Sequence, residues 1–168
     1  MPSVMPTQAF GDPVPEGRAA DIVRGVQRMM AQFGFATLTE MTLANGRRAD
    51  VIGISSKGEI VIVEVKSCLN DFVTDQKWPE YAEYCDRFFF AVDTDFPHDR
   101  LPEEEGYIVA DQFGGAIVRE AVEDRLAGAR RKAVTLSFGR LAAARLLRVA
   151  DADPAARVDV LPEESNSD

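Results

Sequence analysis

Histidine is almost missing from this chain of 168 residues; His98, in the loop Phe96-Pro97-His98-Asp99, is the only one. That argues against a Ser-His-Asp triad and a His-ligated zinc site. Cysteine is scarce as well. Cys68 and Cys85 form no C-x-x-C pair, so two buried, reduced thiols are expected rather than a disulfide scaffold. No apolar run approaches the length of a membrane span, and the N-terminus lacks the basic-then-apolar pattern of a secretory signal. The cytoplasm is the expected compartment. There is no glycine-rich phosphate loop of the Walker or dinucleotide type. Positive charge is also short: 19 Lys and Arg face 28 Asp and Glu, a net charge of -9. Such a balance argues against indiscriminate nucleic-acid binding.

The distribution of charge says more than its sum. Residues 71 to 111 are acidic, peaking at Glu103-Glu104-Glu105, whereas residues 119 to 148 carry an excess of arginine. A basic helix of this kind is either a solvated face or a surface for DNA.

One α/β domain is expected over residues 16–150, with a Pro-rich disordered segment at 1–15 and a disordered acidic tail at 151–168. Ile22, Val26, Met29, Met30 and Phe33 recur at helical spacing over residues 17–33, and Gly34 follows them. Strands are expected at 36–43, 87–92, 106–110 and 115–119. Asn45-Gly46 reads as a two-residue hairpin turn that pairs Glu40 with Val51. Residues 69–86 read as two helical pieces, the second begun by Pro79, and 123–149 as a helix broken near Gly139.

The chemistry centres on one hairpin. Val51-Ile52-Gly53-Ile54 and Ile60-Val61-Ile62-Val63 are β-branched runs of buried-strand type. A three-residue loop, Ser56-Lys57-Gly58, with Gly58 left-handed, pairs Ser55 with Glu59. Counting outward puts Asp50 opposite Glu64 and Arg48 opposite Lys66. The isoleucines then share a face with these charges, and the valines line the other. Opposed carboxylates about 5 Å apart repel by about 3 kcal/mol at an effective dielectric near 20. A divalent cation or Lys66 must offset that repulsion. Asp50, Glu64 and the Val65 carbonyl are candidate oxygen ligands for Mg²⁺ or Mn²⁺, and Lys66 is placed to steady a water or a phosphate.

Asp50 followed by Glu64-Val65-Lys66 resembles the PD-(D/E)XK nuclease motif, with Ala49 where the motif has proline. The longer string is similar to the MmcB family of DNA repair proteins. It runs from Gly46-Arg47-Arg48-Ala49-Asp50-Val51 through Ile62-Val63-Glu64-Val65-Lys66-Ser67 and Asp75-Gln76-Lys77-Trp78-Pro79-Glu80-Tyr81 to Cys85-Asp86-Arg87-Phe88-Phe89-Phe90. The resemblance implies a restriction-endonuclease-like mixed β-sheet flanked by helices. It also implies a role in DNA repair, with Asp50, Glu64 and Lys66 as catalytic residues. Partners are then DNA, branched or single-stranded, and a second copy or a repair protein. Arg48, Lys77, Trp78 and Gln27 are the candidate nucleic-acid contacts. Gln27 occupies the first helix, where relatives of this fold place a further acidic ligand. The bland readings are a solvent-facing glutamine and a core or capping tryptophan. The alternative function is a catalytically silent module of the same fold that binds DNA structures or repair partners.

Overall fold

A computed structural model describes residues 17–74 and 77–151. The expected N-terminal segment 1–15 and nearly all of the tail 151–168 lie outside the described residues, as do Asp75 and Gln76. The elements are α1 (Arg18–Gln32), β1 (Phe35–Thr42), β2 (Arg48–Ser55), β3 (Ile60–Val65), α2 (Leu69–Thr74), α3 (Pro79–Ala82), β4 (Arg87–Val92), β5 (Gly106–Ala110), β6 (Gly115–Arg119) and α4 (Gly128–Ala150). The six strands form one mixed sheet in sequence order. β3, β4 and β5 are parallel to one another; the outer pairings are antiparallel. This is the α/β architecture, a mixed sheet flanked by helices, that the resemblance implies. No helix of the described residues is long and apolar enough to cross a membrane.

Both faces of the sheet are covered, which is why the central strands read as unbroken apolar runs. Ile22, Val26, Met29 and Met30 of α1 pack on Val51, Val61, Val63, Phe89, Ala91 and Ile108. Ile52, Ile60, Ile62, Phe88 and Phe90 face the other way, against Tyr81, Tyr84 and Val134, with Phe138 and Leu141 alongside. Val134, Phe138 and Leu141 are spaced as one face of a helix, and α4 runs through Gly139 without a break. It starts at Gly128, later than the sequence pattern suggests, because residues 120 to 127 have no regular secondary structure. Cys85 is buried as expected, its thiol pushed up to about 12 by that burial, but Cys68 is exposed.

The β2–β3 turn closes as the glycine requires. Ser55 N–H donates to Glu59 O at 2.9 Å, and Gly58 has φ 82°. The β1–β2 turn does not follow the sequence reading. Leu43 N–H donates to Arg47 O at 2.7 Å, so the loop is Ala44-Asn45-Gly46, one residue longer. The Asn45 side chain accepts from Arg47 N–H at 3.0 Å and donates to Glu80 O at 3.2 Å. An asparagine engaged in this way supports the longer loop. Thr39 therefore pairs with Val51, and Glu40 falls across from Asp50.

One buried carboxylate joins three distant parts of the chain. Asp86 Oδ2 accepts from Ile60 N–H at 2.8 Å, and Oδ1 from Leu126 N–H at 2.9 Å. Arg131 of α4 closes a bidentate pair on it, at 2.6 and 2.7 Å. Burial alone would raise this pKa. The guanidinium and the two amides overcome it and hold Asp86 at about 2.

Two predictions follow from this packing. Asp86 is depressed in the folded state, so its contribution is fully present above the unfolded value near about 4 and is lost as pH falls through about 2. The loss should be about 2 kcal/mol, read by chemical denaturation across that range, and Asp86→Asn should flatten it. A Cβ on Gly25 would overlap the backbone carbonyls of Asp111 and Gly114, where α1 crosses the β5–β6 turn. Gly25→Ala should therefore destabilise by about 1–3 kcal/mol, despite its better helix propensity. Unchanged thermal stability would refute that close approach.

Candidate metal-binding site at the end of strands β2 and β3

β2 and β3 part where their regular ladder ends. Pairing runs from Ile54 with Ile60 to Val51 with Val63. One step further, Asp50 stands across from Glu64, as the Gly58 loop dictates. Hydrogen-bonded pairs alternate along such a ladder, and an unbroken one would give Val65 N–H the carbonyl of Ala49. Val65 N–H donates instead to Asp50 Oδ2 at 2.8 Å. Past it, Lys66 N–H turns to Ala91 O of β4 at 2.9 Å. A side-chain carboxylate has replaced a backbone carbonyl, and the strand ends diverge around it.

The charges collected there lie deep. Glu64 is 6% exposed and Lys66 5%. Lys66 Nζ lies 3.8 Å from Glu64 Oε1. Among the described residues no hydrogen bond is donated to Oε2 of Glu64. Phe90 stands beside Glu64 in the parallel ladder and packs edge-on against Trp78, ring centroids 5.6 Å apart. The site thus has an apolar wall that raises the cost of any charge placed in it.

Asp50 is half-buried and its pKa is raised. Burial is the main cause. The Val65 amide, Lys66 and Arg48 pull it down, in that order, and Glu40 pushes it up. The donor set is oxygen throughout: two carboxylates and the Val65 carbonyl. Those oxygens would suit a hard divalent cation such as Mg²⁺ or Mn²⁺. Two carboxylates are the whole acidic contribution. No group of three or more His, Cys, Asp or Glu that could hold a metal occurs among the described residues.

The other candidate residues are dispersed. Arg48 pairs with Thr42 in the β1–β2 ladder and reaches Glu40 at 3.6 Å, with its side chain largely exposed. Gln27 donates to Thr37 Oγ1 at 3.2 Å, on the α1 side of the sheet and away from the isoleucine face that leads to Glu64. Trp78 stacks on Phe88, with ring centroids 5.8 Å apart, and lies partly buried beside the core. Lys77 is exposed just before α3. On α4, Arg130 lies 4.5 Å from the Tyr84 ring, Arg131 binds Asp86, and Arg145 donates to Thr39 O at 2.7 Å. Much of the basic stretch is therefore turned inward. His98 stacks obliquely on Tyr107 at 5.1 Å, apart from the β2–β3 site. Glu40 is the neighbour that sequence reasoning set aside. Only the shifted β1–β2 register brings it to Asp50.

The raised Asp50 pKa has a definite sign. The folded state holds this proton more tightly than the unfolded chain. Ionisation therefore costs stability as pH rises from about 4 through the folded value. Asp50→Asn keeps an oxygen for Val65 N–H and removes the charge. Without metal it should be more stable than wild type at neutral pH, and the difference should vanish in acid. Denaturant titrations at several pH values check this; a pH-independent difference would refute it.

The chain matches the family model described as DNA repair protein MmcB-like over residues 8–153. No curated protein matches it significantly. Among solved structures it is similar to the SPO1766 protein of unknown function from Silicibacter pomeroyi. That match has 42% identity, covers 83% of this chain and 95% of that one, and has a TM-score of 0.80. A repair endonuclease from Pyrococcus abyssi is a remote match at 16% identity, covering 53% of this chain and 43% of that one, with a TM-score of 0.35. The family match spans most of the sequence, including the Asp50–Lys66 hairpin, and the chain belongs to the MmcB-like DNA repair protein family.

Proposed function

We propose that this protein is a divalent-metal-dependent DNA nuclease of PD-(D/E)XK type, acting on branched or single-stranded DNA during repair. The observation that carries it is the gathering of Asp50, Glu64 and Lys66 at a parted strand end, inside an otherwise apolar sheet. A second carboxylate beside a buried ion pair is costly unless a cation offsets it. Asp50, Glu64 and the Val65 carbonyl would hold Mg²⁺ or Mn²⁺, which when bound would lower the pKa of water and offset charge on the phosphate. Lys66, 3.8 Å from Glu64 Oε1, orients the attacking water and faces the negative charge that grows on the scissile phosphate. The apolar wall of Phe90 and Trp78 limits bulk water and strengthens each of these interactions. Arg48, exposed at the margin, meets a flanking phosphate.

A silent DNA-binding module is the second reading, and one observation favours it. Glu64 and Lys66 already neutralise each other at 3.8 Å and are nearly closed to solvent. A catalyst must open that pair when metal arrives.

The decisive experiment is cleavage by highly purified protein on a panel of flapped, branched and single-stranded DNAs, with Mg²⁺, Mn²⁺ or chelator. Activity should need metal. Glu64→Gln should lose more than the about 10–100-fold that outer-shell changes cost. Binding without cleavage, unchanged by metal, would establish the silent module. Metal linkage gives a readout free of activity. At a hundredfold excess over its dissociation constant, a bound cation should stabilise the wild type by about 2.7 kcal/mol and Asp50→Asn far less. Lys66→Ala should be less stable without metal yet keep the response. A melting curve unmoved by Mg²⁺ and Mn²⁺ would end the metal-dependent mechanism.

A further inference from the structure

We propose that Glu40 is a positioning residue: its carboxylate holds Arg48 at the mouth of the Asp50–Glu64 site, ready for a DNA phosphate. The inference rests on reading this surface as a DNA-binding one and names a residue that the nuclease motif does not contain.

Three observations converge on it. The three-residue Ala44-Asn45-Gly46 loop sets Glu40 across from Asp50 rather than Val51. Glu40 is the one non-glycine residue with positive φ among the described residues, at 50°, in the middle of a strand. A side chain rarely adopts that conformation unless its surroundings impose it. Arg145 meets the chain at this bend. Its guanidinium crosses from α4 and donates to Thr39 O at 2.7 Å and Glu40 O at 3.5 Å.

The bend has a visible consequence. Leu38 and Met41 both join the α4-side core, as do Ile52 and Ala49 opposite them, where strict alternation would send them to different faces. The twist delivers the Glu40 carboxylate to Arg48, 3.6 Å away. The Glu40 side chain is 25% exposed and that of Arg48 63%. At that separation the contact orients the guanidinium and leaves donors for a phosphate. An untethered surface arginine would have to be ordered at the moment of binding. Glu40 is not offered as a third metal ligand, since no three-membered acidic cluster is present among the described residues.

The sign of the effect makes the idea testable. An acid near DNA with no positioning role repels it, so its removal should tighten binding. Positioning predicts the reverse. The probe is a fluorescein-labelled forked oligonucleotide, with Ca²⁺ in place of Mg²⁺, titrated at several salt concentrations. Arg48→Ala should weaken binding about tenfold and lower the salt slope by about one phosphate contact. Glu40→Gln should weaken binding about threefold, and Glu40→Asp should restore most of it. In the Arg48→Ala background Glu40→Gln should change nothing, because the group it positions is gone. Glu40→Gly guards against misfolding: it relieves the left-handed backbone, so it should melt no lower than wild type while binding as Glu40→Gln does. Tighter or unchanged binding by Glu40→Gln, or effects that add, would overturn the inference and leave the DNA-binding reading intact. Wild type that binds neither forked nor single-stranded probe would overturn both.

Discussion

β3 is clamped at each end by an aspartate that accepts a backbone N–H, and the rest of the structure depends on those two bonds. Asp86 takes Ile60 N–H at the start of the strand, and Asp50 takes Val65 N–H at its close. Between them the strand is fully buried, with valines against α1 and isoleucines against the layer that α3 and α4 form. A central strand pays no penalty along its length, because neighbouring strands satisfy its peptide groups. Its ends are where pairing fails and a charged side chain becomes useful.

The two aspartates show how surroundings set the charge state of a carboxylate. Asp86 is buried but has two amides and a bidentate arginine, so it stays ionised to about pH 2 and fastens β3 to α4. Asp50 has one amide, weaker help from Lys66 and Arg48, and opposition from Glu40, so burial prevails and its pKa rises. A satisfied carboxylate has little left to offer a ligand. An under-satisfied one beside a second acid has a reason to accept a cation. The count of donors separates them: Asp86 accepts from two amides and both terminal guanidinium nitrogens of Arg131, Asp50 from one amide.

Turn chemistry explains which parts of this arrangement were legible. Gly58 has a local reason for its left-handed backbone, so the β2–β3 register followed from the sequence, and with it the meeting of Asp50 and Glu64. Asn45-Gly46 carries an equally strong local signal, yet it misleads. Asn45 is held by Glu80, thirty-five residues away, and the extra loop residue moves Glu40 beside Asp50. Trp78 lies partly buried, stacked on Phe88, and Gln27 hydrogen-bonds to Thr37; both placements depend on partners distant in the chain. The basic stretch of α4 was visible as composition. That Arg131 and Arg145 turn inward, to Asp86 and to the bend in β1, was not.

The sequence by itself determined the strand pattern, the two-faced core and the pairing of Asp50 with Glu64. Apolar periodicity and one glycine turn act over a few residues, and no distant contact opposes them. Tertiary structure alone decided that Val65 N–H goes to Asp50, that Glu40 bends toward Arg48, and that Asp86 ties β3 to α4. Each of those bonds spans segments that become neighbours only when the sheet and α4 are in place. Their geometry depends on backbone donors and acceptors that residue types do not encode.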